Sequence, residues 1–173
     1  MKAMHYTLDQ LNRVSKDAFV AALSGIFEHS PWVAEAAVER RPFASIDELH
    51  RKMSRIVETA GEEKQIALIN AHPELAGKAA VRGELTAEST REQSGAGLDQ
   101  CTQEEFDRLL QLNKAYREKF GFPFILAVRG YDRHGIIAKF EARVNNSRAD
   151  ELRASLDQIY RIARFRLDEL LGG

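Results

Sequence analysis

Apolar residues recur at steps of three and four along most of the chain, and the runs are bounded by residues suited to helix ends. Thr7 and Ser15 stand as N-caps, and beyond the second, Phe19, Val20, Leu23, Ile26 and Phe27 form one stripe that faces a core. Pro31 suits the first turn of a helix carrying Trp32, Val33, Ala36 and Ala37, which Arg41-Pro42 ends. Ser45 with an acid three residues on, Glu48, is a variant capping box that opens a helix to about Thr59, and Gly61 breaks it. The next pattern, from about Glu62, carries Ile66, Ile69 and Asn70 into His72, which predicts that a buried, rigid helix delivers that histidine.

From Gly77 to Leu98 the chain turns polar and glycine-punctuated, with Gly83, Gly95 and Gly97 around the segment 89–93. Thr102 and Glu105 form a capping box ahead of a long stripe of Phe106, Leu109, Leu110, Leu112, Tyr116 and Phe120, and Gly121 ends it. Phe122 to Val128 reads as a short buried strand or an extended connector; no second strand is evident to pair with it, so a connector near 121–130 is expected. Ile136, Ile137, Phe140 and Val144 mark a further helix, and Leu152, Leu156, Ile159, Ile162, Ala163 and Leu170 mark a last, long one from about Arg148 to Leu170. No repeat or linker interrupts this pattern, so the expectation is an all-α chain whose residues 1–173 form a single compact multi-helix domain.

Composition narrows the class. A domain of 173 residues buries roughly 70% of the surface its unfolded chain exposes, so a core forms without staples. A formal charge of −1 lacks the basic excess of nucleic-acid partners, and no apolar run is long enough to span a bilayer. Cys101 is the sole cysteine, which rules out an internal disulfide and, with an N-terminus lacking a signal-peptide core, leads us to expect a reducing, cytoplasmic setting.

Candidate chemistry gathers in three segments. In Ala71-His72-Pro73-Glu74-Leu75-Ala76-Gly77, proline disfavours helix at the preceding residue, so His72 falls at a helix end with its ring free to face a cavity. In Ser89-Thr90-Arg91-Glu92-Gln93, a hydroxyl, a carboxylate and a carboxamide stand at i, i+3 and i+4, one helical face. Downstream lies Phe120-Gly121-Phe122-Pro123-Phe124-Ile125. Each has a plainer reading: a capped histidine, a solvated helix face, and core filling. His5, His29, His50 and His134 do not combine with His72 in metal-ligand spacing, so no metal is expected; a Ser89-His72-Glu92 triad lacks a nucleophile elbow.

These segments, as His-Pro-acidic-Leu-Ala-Gly, Ser-x-x-Glu-Gln and Phe-Gly-Phe-Pro-Phe-Ile in that order over residues 72 to 125, resemble the OHCU decarboxylase family. Glu74 stands where aspartate is also common. The resemblance implies decarboxylation of 2-oxo-4-hydroxy-4-carboxy-5-ureidoimidazoline to (S)-allantoin in urate breakdown. It implies no cofactor, because the carbon losing CO2 adjoins a ring C=N unit that takes up the electrons, and it implies a homodimer. It implies His72 as general acid/base, a catalytic or binding part for Glu92, and substrate contacts from Pro73, Ser89, Thr90, Arg91, Gln93 and the backbone of Phe124, Ile125, Leu126, Ala127 and Val128. Arg161 and Arg164 are candidate cations for the substrate carboxylate. Two rivals remain: a helical protein-interaction module, which requires a broad exposed apolar patch, and a lyase for a related ureido or hydantoin substrate.

Overall fold

The capping signals form as their side chains dictate. In the computed structural model, which describes residues 6–76 and 85–172, Thr7 caps α1 (Leu8–Arg13), Ser15 caps α2 (Lys16–Leu23) and Ser45 caps α4 (Ile46–Glu58), each side chain accepting a first-turn N–H. Pro31 precedes α3 (Trp32–Ala37), which a 3-10 turn at Val38–Arg40 extends before the Arg41-Pro42 stop. Gly61, at φ 97, separates α4 from α5 (Glu62–Ala71). Thr86 caps α6 (Ala87–Gly95), Thr102 closes a full capping box on α7 (Gln103–Phe120), and Asp132 caps α8 (Arg133–Arg143). The last helix, α9, spans Arg148–Leu171. Among the described residues every regular element is helical, so the all-α expectation holds.

Two compact units divide these elements. One takes in the residues up to Ala71 and those from Ile159 onward; the other runs from His72 to Gln158. In the first, α3 packs on α4 and α2. Arg166 and Glu28, both on the buried side, pair at 3.4 Å. The second holds His72, Pro73 and the candidate residues of segments 89–93 and 124–128, whereas Arg161 and Arg164 belong to the first; its core is aromatic: Tyr116 lies edge-on to Phe124 and Phe140, whose rings stack at 4.0 Å. Such a stack contributes about 0.5–1.5 kcal/mol beyond its buried area.

Gly121 takes φ 82 at the end of α7, a left-handed turn that only glycine enters without strain, and the chain leaves as the connector. Residues 122–128 are all buried and carry no regular structure, so the connector, not the strand, is what forms.

Two expectations about burial need correction. Leu110 is 38% exposed, because at its place on α7 it points away from the side that carries Leu109, Leu112 and Tyr116. It is also the one exposed large hydrophobic among the described residues. On α5 only Leu68 and Ile69 are buried while Asn70 is exposed, so His72 follows a half-solvated helix, not a buried one. The polar stretch of residues 77–84, with Gly77 and Gly83, lies outside the described residues.

Candidate active site

His72 is the first residue past α5, out of helical conformation and 7% exposed. The turn that follows, Pro73 to Ala76, is held from both sides. Gln93 Oε1 accepts the Ala76 N–H at 2.9 Å, and Gln93 Nε2 donates to the Glu74 carbonyl at 3.4 Å. Asn113 Nδ2 donates to the Leu75 carbonyl at 3.0 Å, and Arg117 Nε meets the Glu74 carboxylate at 2.9 Å. Ala76 has φ 51, a left-handed conformation that costs a non-glycine residue about 1–2 kcal/mol. Its N–H bond to Gln93 offsets part of that cost.

On α6 the three-and-four spacing sorts the segment 89–93 as its residue types imply. Ser89 and Gln93 are buried and Glu92 is half-buried, while Thr90 and Arg91 are exposed. The Thr90 hydroxyl donates to the Thr86 carbonyl at 2.9 Å. A cavity of about 480 Å³ beside this helix is walled by Ala76, Thr90, Gln93, Leu98, Cys101 and Phe106 among others; neither His72 nor a connector residue lines it. Burial, then the nearby Glu105 carboxylate, pushes the Cys101 thiol up, keeping it protonated.

Phe124, Ile125, Leu126, Ala127 and Val128 are each at most 5% exposed. Their main-chain groups are partly engaged by side chains of the same unit. The Ile125 carbonyl accepts from Arg143 Nη1, and the Ala127 N–H donates to Gln158 Oε1 at 3.0 Å. The expectation of a connector whose polar groups are all open to a ligand is thereby narrowed. The peptide units 125–126 and 126–127 are trans, and in a trans unit the carbonyl and N–H point in opposite directions. The Leu126 N–H therefore points away from Arg143, and the Leu126 carbonyl away from Gln158. Neither has a partner among the described residues. On a buried residue each such group costs about 1–3 kcal/mol unless something meets it.

Arg143 is itself held. Its Nε donates to Glu151 Oε1 at 2.9 Å, its guanidinium lies 4.5 Å from the centre of the Phe124 ring, and Glu151 is wholly buried. Tyr116 Oη donates to Glu151 at 2.6 Å and Asn146 Nδ2 at 2.9 Å, so the carboxylate is matched on several sides. Burial, then the Glu151 hydrogen bond, pushes the Tyr116 phenol well above its ordinary range. Asn113, Arg143, Glu151 and Gln158 were missed as site residues by sequence reasoning. Their signal was faint: a polar or charged side chain at an inward position of an otherwise apolar helical stripe.

The cations expected for a substrate carboxylate lie on α9. Arg164 is engaged by Asp168 at 3.0 Å and by Asp47, whose hydrogen bond raises the arginine further. Arg161 is exposed.

The unit thus joins the His72 turn to the α6 face and leaves the N–H and the carbonyl of buried Leu126 unmatched among the described residues, groups that an amide-rich small ligand could meet. Known proteins agree in kind. The chain is 46% identical over 163 residues to a 2-oxo-4-hydroxy-4-carboxy-5-ureidoimidazoline decarboxylase of Haloferax volcanii, covering 94% of this chain and 95% of that protein. It is 43% identical to a uric acid degradation bifunctional protein of Bacillus subtilis, covering 96% of this chain but 33% of that one. A crystal structure of (S)-allantoin synthase superposes with a TM-score of 0.78 at 31% identity, over 95% of this chain and 53% of that chain. The sequence profile of OHCU decarboxylase matches residues 12–168, from within α1 to the last turn of α9 and across all three motif segments: the chain belongs to the OHCU decarboxylase family.

Proposed function

We propose that this chain decarboxylates 2-oxo-4-hydroxy-4-carboxy-5-ureidoimidazoline to (S)-allantoin, a carboxy-lyase step of purine catabolism, with residues 1–173 acting as one functional domain. Family membership supports the reaction. The observation that carries the assignment of the site is the hydrogen bond that the Ala76 N–H donates to Gln93 Oε1, because it ties the carboxamide-bearing helix to the turn that begins at His72.

The reaction breaks the C–C bond to the carboxylate, releasing CO2, and the electron pair passes into the adjoining ring C=N unit, whose nitrogen takes up a proton. The 4-hydroxyl then gives up its proton to become a carbonyl, while the neighbouring ring carbon gains a proton on one face. The substrate supplies its own electron sink, so the protein has to orient it, exclude water and move protons. His72 serves as general acid/base, since an imidazole with an ordinary pKa of about 6.5 both takes and returns a proton near neutrality. Its burial keeps bulk water from protonating the wrong face.

Glu92 stands one position before Gln93 on α6 and accepts from substrate N–H groups or orients His72. Ser89 and Gln93, both buried, offer a rotatable hydroxyl and the remaining hydrogen-bonding capacity of the carboxamide. Pro73 forms pocket wall, and Thr90 and Arg91 contact the substrate from the outer edge of α6. In the connector Phe124, Ile125, Ala127 and Val128 exclude water, and the Leu126 N–H and carbonyl meet an amide edge of the ureido group. The working form is a cytoplasmic homodimer.

Coupling the protein to urate oxidase and hydroxyisourate hydrolase, and following the optical activity of the allantoin formed, tests this reading. Rapid appearance of one enantiomer supports it. Allantoin that forms no faster than without the protein, and as a racemate, refutes it.

A further inference from the structure

We infer that Arg143 and Gln158 are positioning residues for the proposed reaction: they fix the two peptide planes on either side of Leu126, and with them the polarity of the edge that reads the substrate. The inference rests on the function proposed above.

A connector without regular structure has no neighbouring strand to hold its peptide planes. Rotating one plane half a turn exchanges its N–H and carbonyl at small cost in side-chain placement, and it inverts what the chain offers a ligand. Arg143 prevents this at the 125–126 plane, because a guanidinium carries donors only and tolerates a carbonyl but not an N–H. Gln158 acts at the 126–127 plane through Oε1, where it takes the Ala127 N–H. A carboxamide can turn over and offer its NH2 instead, so this second lock is the weaker one.

Arg143 is kept from rotating by Glu151, by the face of Phe124 beneath it, and indirectly by the Tyr116 and Asn146 bonds to the same carboxylate. The outcome is a Leu126 donor and a Leu126 acceptor, each directed away from its lock and unmatched among the described residues. That pairing complements a ligand whose own N–H and C=O stand side by side, as in a urea or a cyclic imide. Reversing either plane would set like against like and reject it.

The test uses the full chain carrying 15N-leucine, with the Leu126 amide assigned through Leu126→Ile, in three forms: wild type, Gln158→Glu and Gln158→Met. Glutamate keeps an acceptor for the Ala127 N–H and cannot turn over, whereas methionine keeps the volume and removes the acceptor. In the coupled assay Gln158→Met is expected to raise KM about 5- to 10-fold with a smaller change in kcat, as loss of a binding hydrogen bond would, while Gln158→Glu stays within about twofold of wild type. On titration with allantoin the Leu126 amide signal is expected to shift in wild type and Gln158→Glu, and to shift less in Gln158→Met. A merely structural role would lower the melting temperature of Gln158→Met without moving KM or the Leu126 response. An active wild type whose Leu126 signal ignores allantoin, or an unchanged KM in Gln158→Met, overturns the positioning role alone. Failure of the wild type to make allantoin removes the proposed function and this inference with it.

Discussion

The carboxamide oxygen of Gln93 accepts the backbone N–H of Ala76 at 2.9 Å across 17 positions of sequence. Its partner sits four residues past His72 in a left-handed conformation, so a helix side chain determines where the turn after the histidine lies. Gln93→Leu leaves that N–H buried and unmet. A loss of about 1–3 kcal/mol is expected from the urea midpoint, together with a fall in both kcat and kcat/KM for allantoin formation. If only KM moves, Gln93 contacts substrate without shaping the turn.

His72 follows a helix whose buried residues are Leu68 and Ile69. Replacing the imidazole by the neutral amide of His72→Asn, or truncating it in His72→Ala, should leave the circular dichroism spectrum unchanged. General acid–base catalysis contributes about 10²- to 10⁴-fold, and turnover is expected to drop by that much. Wild-type rates in either variant would remove His72 from the chemistry.

The Arg143–Glu151 pair is buried on both sides, at 7% and 0% side-chain exposure. Arg143→Met strands an anion in the core and should destabilise by about 3–5 kcal/mol. The double variant Arg143→Met, Glu151→Met removes both charges and should recover most of that loss in the same denaturation experiment. A double variant as unstable as the single one would show that packing on Phe124, not charge, is what Arg143 supplies.

Tyr116 has a folded-state pKa raised by burial above its ordinary value of 10.0. For a group raised in the folded state the contribution to stability is fully present below the unfolded value and is lost as pH climbs through the folded one. Stability is therefore expected to decline above about pH 10. Absorbance at alkaline pH should show one of the four tyrosines ionising only with unfolding. In Tyr116→Phe that late step should vanish; its persistence would assign it to another tyrosine.

Gly121 ends α7 at φ 82, and a Cβ built there meets no atom within 4 Å. Gly121→Ala therefore encounters backbone strain without a clash, and a loss of about 1–2 kcal/mol is expected. A much larger loss in the melting temperature would reveal that the connector depends on this turn beyond its φ.

The helices were readable before any coordinates, because their signals are local. Thr7, Ser15, Ser45 and Thr102 cap whatever helix follows them, since a hydroxyl reaches the first-turn N–H in any protein. Gly121 stops α7 for an equally local reason. Leu110 misled because a slightly wide apolar stripe does not say which edge faces the core.

The amino-acid order by itself determined the helical periods, most helix starts, the absence of an internal disulfide and the three motifs that point to a ureide-handling decarboxylase; α2 ends at Leu23, short of the Ile26 and Phe27 that continue its stripe. Tertiary structure alone decided that Gln93 grips the turn after His72, that Arg143 and Glu151 meet inside the core, and that Arg143 and Gln158 engage the chain on either side of Leu126. Those contacts join residues from 8 to 31 positions apart. Local propensity carries no information about which distant polar group a buried amide will find; only the closing of the core around both settles it.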